Sequence, residues 1–211
     1  MIDAAERLLA ERGIDAVSLR EVQAAAGQRN KSAAQYHFGS RAGLIDAIIA
    51  TRMAPIDLAR RRRLDDLDDD RVTPTTHDYV RALVDPLADA TVRRSRSWYA
   101  RFLARSYTDP VWAGAVDESG HGTALVAWRR RLDEHLTDAI PELPASLRQA
   151  RINRAISTAI LALAAGEGRR STAAQRDARI SDLIDGITAA LDAGVSAATL
   201  DLLDGPINLD A

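Results

Sequence analysis

Residues 4–49 read AAERLLAERGIDAVSLREVQAAAGQRNKSAAQYHFGSRAGLIDAII, and the punctuation of this stretch decides the fold. Ala5, Leu8 and Leu9 share one face of a helix from Ile2 to Arg12, and Gly13 follows where a chain leaving a helix wants a left-handed residue. Ser18 and Glu21 have capping-box spacing, with Val17 and Val22 as the hydrophobic staple, so a second short helix runs from Leu19 to Ala26 and Gly27 ends it. Lys31 opens a third, capped by Asn30 or Ser32 and closing at Phe38 before Gly39. Ser40 caps a fourth and longer helix, apolar at Leu44, Ile45, Ile48, Ile49 and Ile56, in which Pro55 predicts a kink. Two short helices joined by a glycine turn, with a helix before and after, describe a helix-turn-helix, whose second helix is built to enter a DNA major groove. Helix pairs of this size also occur in bundles that bind nothing, and punctuation alone leaves both readings open.

The composition agrees with an all-helical chain. Forty of the 211 residues are alanine, aromatic residues are only 4%, and strand patterning is almost absent. The length allows one large domain or two small ones, with enough apolar residues for a proper core. No apolar run approaches the ~20 residues of a membrane helix, and Asp3, Glu6 and Arg7 interrupt a signal-peptide pattern, so a cytoplasmic protein without a membrane partner is expected. With no cysteine there is no disulfide framework, thiolate metal site or cysteine nucleophile.

The net charge of −2 hides an asymmetry. Residues 1–63 hold 11 basic and 7 acidic side chains, including the run Arg60 to Arg63, whereas residues 64–211 hold 17 basic and 23 acidic ones. A basic head on an acidic body suits a polyanion-binding module. Four arginines ending a solvated helix would produce the same count.

The opening stretch resembles the N-terminal DNA-binding domain of the tetracycline-repressor (TetR) family of transcriptional regulators. The likeness lies in Ala5, Leu8, the Glu11 to Gly13 turn, Ser18, Leu19, Arg20, Val22, Ala26, Gly27, His37, Phe38, Ser40, Arg41 and Leu44. It implies an all-α protein with an N-terminal three-helix DNA-binding domain over residues 1–50 and a helical ligand-binding and dimerisation domain over 51–211. It further implies a homodimeric repressor, without a cofactor, that leaves a palindromic double-stranded operator when a small-molecule effector binds. Three features depart from the family pattern: one extra residue between Gly27 and Phe38, Gln35 where a tyrosine is common, and Gln23 where a small alanine packs.

By this resemblance Ser18 holds a phosphate at a helix N-terminus and Arg41 clamps the flanking backbone. Arg20 and Lys31 suit guanine, and Gln35 suits adenine. Tyr36 and His37 supply phosphate bonds or contact with a thymine methyl, and Asn30 and Ser32 complete the set at the start of the third helix. Each has a plainer reading: Ser18 as a cap only, His37 as a packed histidine, Arg41 as a solvated charge. Ala34 and Phe38 belong to the core.

Beyond the head, the break from Arg60–Arg63 to DDLDDD predicts the end of the fourth helix and a loop. A fifth helix follows from Thr75 to Val92 with a kink at Pro86, then a sixth from Ser95 to Tyr107. A glycine-containing segment with Trp112 leads to a seventh helix that carries Leu125, Trp128, Leu132, Leu136 and Ile140. Two long helices, 145–166 and 176–195, carry the stripes Ile152, Ile156, Ile160, Leu163 and Leu183, Ile184, Ile187, Leu191, with small residues beside them. In the family two such helices per subunit form the dimer interface, which assigns Ile152, Ile156, Ile160, Leu163, Leu183, Ile187 and Leu191 to it; ordinary core is the alternative. A short helix in the tail, through Leu200, Leu202, Leu203, Ile207 and Leu209, has no assigned function.

Most of the aromatics cluster between Tyr79 and Trp128, where the family builds its ligand pocket. Trp98 and Phe102 share a helix face and are the pocket candidates, with Trp128 closing the wall; aromatic core packing is the alternative. Arg101 and Arg105, one turn apart, could meet an anionic group on a ligand, or lie on a solvated face. Enzyme readings fare poorly. The four histidines show no metal-ligand spacing, nucleophile-elbow and phosphate-loop motifs are missing, and DDLDDD lacks the glycine and distal glutamate of a calcium loop, so neither catalysis nor a metal is expected. A helical binding or interaction protein that does not bind DNA is the non-enzyme alternative.

Overall fold

The computed structural model describes residues 1–28, 30, 33–68, 73–109 and 121–204. Among them are ten α-helices: α1 (Ile2–Arg12), α2 (Leu19–Ala25), α3 (Ala33–Phe38), α4 (Arg41–Leu67), α5 (Thr76–Ala90), α6 (Tyr99–Thr108), α7 (Thr123–Ala139), α8 (Ala145–Gly166), α9 (Ala173–Asp192) and α10 (Ala197–Asp204). The architecture is all-α, a helix-turn-helix head followed by a helical body. Lys31, Ser32, Trp112, Ile207 and Leu209 lie outside the described residues.

Local signals place the head. The Ser18–Glu21 capping box forms as the spacing requires, and Ser40 accepts the amide of Gly43 to start α4. Gly27 and Gly39 take left-handed backbone angles at the ends of α2 and α3. Gly43 sits where any side chain would collide with the Phe38 carbonyl: a Cβ there would lie 2.1 Å from its oxygen. A glycine is therefore needed to fold α4 back this tightly on the end of α3.

α4 does not end at the arginine run. It continues through Pro55, Arg60–Arg63 and the first aspartates to Leu67, crossing the expected domain boundary at residue 50. α1 packs against both α4 and α6, and one continuous core runs from Ala5 in the head to Leu191 in α9. In the body, α5 packs against α4, α7, α8 and α9. Its buried side chains, Val80, Leu83, Val84 and Leu87 among them, cover more than one face.

The arginine run is divided between interior and surface, with Arg61 and Arg62 exposed. Arg60 is buried, Arg61 reaches Thr123 at 2.7 Å, and Arg63 pairs with the buried Asp85 of α5 at 3.3 Å. The run therefore does not end its helix, which continues to Leu67, and it is not one solvated block. Residues 1–59 hold 7 basic and 7 acidic side chains, so the basic excess of the first 63 residues is this run alone.

α6 and α7 begin without a local cap. Trp98 before α6 and Gly122 before α7 offer no side-chain acceptor. α6 starts four residues later than its apolar pattern suggests, and apart from Tyr99 its first amides are satisfied by distant carboxylates. Glu6 of α1 accepts Trp98 N–H at 3.1 Å, Ser97 Oγ accepts Tyr99 N–H, and Glu167 accepts the amides of Ala100 and Arg101 at 3.2 and 3.0 Å. At α7 the carboxylate of Asp57, on α4, accepts Ala124 N–H at 2.8 Å and the Thr123 hydroxyl at 3.1 Å. Carboxylates suit these places because unpaired N–H groups and the helix dipole both favour negative charge.

The stripes of the two long helices face inward. Ile152, Ile156, Leu163, Ile184, Ile187 and Leu191 are buried within the single chain, with Ile160 and Leu183 half-buried. α8 lies on α6 and α9 on α5, which uses up these surfaces and leaves them little to offer a second copy. α8 and α9 leave exposed the small and short residues Thr158, Leu161, Ala162, Gly186, Ala189 and Ala190, beside the charged Arg154, Arg179, Asp182 and Asp185.

Candidate nucleic-acid interface and interior cavity

The helix-turn-helix presents α3 outward. Gln35, Tyr36 and His37 are all exposed, Tyr36 at 86%, while Ala34 is buried and Phe38 packs on the core. The alternation follows from helical period: Ala34 and Phe38 are one turn apart and point in, so the three residues between them point out. The Tyr36 and His37 rings meet edge to face at 5.4 Å. Gln35 folds back, its amide donating to the Gly39 carbonyl at 2.5 Å, so pairing with a base would require it to leave that bond.

Around α3 the other candidates are held by local bonds. Ser18 Oγ accepts Glu21 N–H at 3.3 Å and donates to the Glu21 carboxylate at 2.8 Å, which makes it a complete cap. The Ser18 backbone N–H, donating to the Glu21 carboxylate at 2.9 Å, then the Ser18 hydroxyl and the Arg12 guanidinium at 2.7 Å, pull the Glu21 carboxyl down to about 2. Arg20 is exposed on α2 and Asn30 is exposed in the turn. Arg41 pairs with Asp15 at 2.9 Å, tying the start of α4 to the turn before α2. Gln23, where a smaller side chain would pack, is buried, and its amide donates to the Asn30 carbonyl across the turn. A buried amide hydrogen-bonded to the turn backbone fixes α2 relative to α3, a role that spacing alone did not reveal.

The body encloses a cavity of about 50 Å³ between α4, α5, α6, α7 and α8. Its apolar wall includes Ile56, Leu83, Leu103, Leu125, Ile156 and Ile160, and its polar lining is Arg60, Ser106, Tyr107 and Arg129. None of the three aromatic candidates lines it. Phe102 is fully buried and stacks on Tyr99 at 5.9 Å. Trp128 is fully buried, with its indole N–H donating to the Tyr79 carbonyl at 2.7 Å. Trp98 precedes α6 at the rim of a shallow arginine-rich depression, with the Arg101 guanidinium 4.1 Å above its ring. Trp98 and Phe102 part company because Trp98 lies outside the helix, so a shared helical face does not apply to it. Arg101 pairs with the buried Glu167 at 3.5 Å, and Arg105 is exposed.

Arg60 is the site's most unusual group. It is 3% exposed, only its Nη2 has an acceptor (the Leu83 carbonyl at 3.3 Å), and burial pulls its pKa down to about 10. The sequence run concealed it, because four consecutive arginines give no sign of which one turns inward. Among the described residues no single helix is long and apolar enough to cross a membrane.

Residues 1–48 match the profile of the bacterial regulatory proteins of the tetR family. No curated protein matches the sequence. Among solved structures, the fold is similar to that of a TetR family transcriptional regulator, PfmR from Thermus thermophilus. The TM-score is 0.57 at 16% sequence identity, over 93% of this chain and 96% of that one.

Proposed function

We propose that this protein is a sequence-specific DNA-binding transcriptional regulator of the TetR type, acting as a homodimeric repressor that a small-molecule effector releases from its operator. The observation that carries the reading is the head itself: residues 1–48 match the family profile, and α3 exposes Gln35, Tyr36 and His37 on one outward surface. In this reading Ser18, Arg41, Tyr36 and His37 contact phosphates, while Arg20, Lys31 and Gln35 read base edges, flanked by Asn30 and Ser32. The exposed face of α8 and α9 meets the same face of a second copy, which presents two heads to a palindromic site.

The cavity supports effector control because its walls are also the head's supports. α4 and α6 both line it, and α1 packs on both. A molecule that spreads α4 from α6 shifts the population of head positions, which is all that release requires.

The charge balance of residues 1–59 favours a second reading, a helical small-molecule-binding protein that does not bind DNA. One experiment separates the two. The purified protein is offered a randomised duplex library and the recovered sites are titrated at rising salt. The regulator reading expects recovered palindromes, with affinity falling steeply as salt rises because phosphate contacts release counterions. Arg20→Ala then weakens binding and relaxes base preference, while Arg41→Ala weakens binding to all sequences alike. Recovery of no preferred sequence leaves the ligand-binding reading in place.

A further inference from the structure

We propose that the interior cavity binds an apolar monocarboxylate, with its carboxylate paired to Arg60 and its hydrocarbon body against Ile56, Leu83, Leu103 and Leu125. The proposal deepens the effector reading of this cavity and rests on it. Arg60 Nε and Nη1 are buried and have no hydrogen-bond partner. Removing a guanidinium from water without pairing its donors is costly, and folded proteins rarely leave such a group unsatisfied without a use for it. The acid one turn away does not satisfy it. The Asp57 oxygens are taken by Ala124 N–H and the Thr123 hydroxyl at the start of α7 and by Arg61 on α4 itself.

The remaining chemistry of the wall fixes the class of ligand. An anion is called for by a fixed cation, and Nε and Nη1 are two unpaired N–H donors on one planar guanidinium, each able to donate to a carboxylate oxygen. Among the described residues no acidic side chain lines the cavity, and apart from Arg60 its polar lining is Ser106, Tyr107 and Arg129. Ser106 is already bonded to the Phe102 carbonyl and Arg129 to Asn153, so neither competes for the anion. A doubly charged or heavily hydroxylated ligand would leave polar groups unpaired against leucine and isoleucine. The room present holds roughly four water-sized groups, which suits a short acid, and a longer chain requires the side chains to part.

The test uses the full-length protein without DNA. Butyrate, hexanoate and octanoate are titrated by calorimetry beside 1-butanol, 1-hexanol and 1-octanol. The expected result is one carboxylate per chain, bound at least about tenfold more tightly than the alcohol of equal length, since a charge-assisted pair replaces a neutral one. In Arg60→Met the preference for acid over alcohol disappears. Equal or weaker binding of the acids to the wild type overturns the proposal, whether or not the variant folds, and so does a preference that survives in Arg60→Met. Because DNA is absent, carboxylate binding by a protein that recovers no operator upholds this inference while the regulator reading fails. Operator binding by a protein that binds none of the acids has the opposite meaning.

Discussion

The Glu6 carboxylate accepts the backbone amide of Trp98 at 3.1 Å, joining positions 92 residues apart. Glu6 lies on α1, in the head, and Trp98 immediately precedes α6, in the body. The same carboxylate pairs with Arg52 of α4, so one buried side chain, 2% exposed, ties together the three helices through which head and cavity meet. Glu167 accepts the amides of Ala100 and Arg101 from the end of α8. The first turn of α6 is therefore held by the head on one side and by the last part of the body on the other.

Replacing that link should cost the whole fold stability rather than loosen the head alone. Glu6→Ala leaves the Trp98 amide and the largely buried Arg52 without their common partner, although Arg52 keeps Asp3. The expected loss is about 2–4 kcal/mol in chemical denaturation. Because one core runs through head and body, the transition should remain single. A head that melts separately in the wild type would contradict the shared core.

Acid should unsettle the head in a defined window. The Glu21 carboxyl is lowered from 4.5 to about 2 by its bonds to Ser18 and by Arg12. A depressed carboxyl contributes stability above its unfolded value and loses it as pH falls through the folded one. The contribution is thus complete above about pH 4.5 and gone near pH 2. Asp78, lowered by its bonds to Thr75 at the start of α5, acts with the same sign. Melting temperatures of the wild type and Glu21→Gln should differ near neutral pH and converge as pH falls across this window. A difference that persists unchanged at pH 2 would show that the charge is not its source.

The dimer proposal is tested on the outer face of the long helices, not on their stripes. Leu161→Glu with Ala190→Glu places charge on exposed positions and should yield a folded monomer by sedimentation and circular dichroism. Ile152→Glu, in contrast, buries a carboxylate in the apolar core away from the cavity and should unfold the chain. A double variant that remains dimeric would move the interface elsewhere.

Sequence alone determined those features whose partners lie within a helical turn or two. The Ser18–Glu21 box and the turns at Gly27 and Gly39 are short-range geometry, and the inward Ala34 and Phe38 with Tyr36 turned outward follow from period. These suffice for the helix-turn-helix and for an all-α class. Tertiary structure decided the rest. α6 and α7 start where Glu6, Glu167 and Asp57 can reach their bare amides, from 66 to 92 residues away, and no local pattern encodes such an acceptor. The run Arg60–Arg63 reads as one charged block, yet Arg60 points into an apolar cavity while Arg63 meets Asp85. An apolar stripe announces that a helix face will be buried, but what buries it depends on how the chain returns, and here α5 and α6 cover the faces that a second subunit was expected to cover. Hydrophobic burial is not directional, so period identifies the face and only packing names its partner.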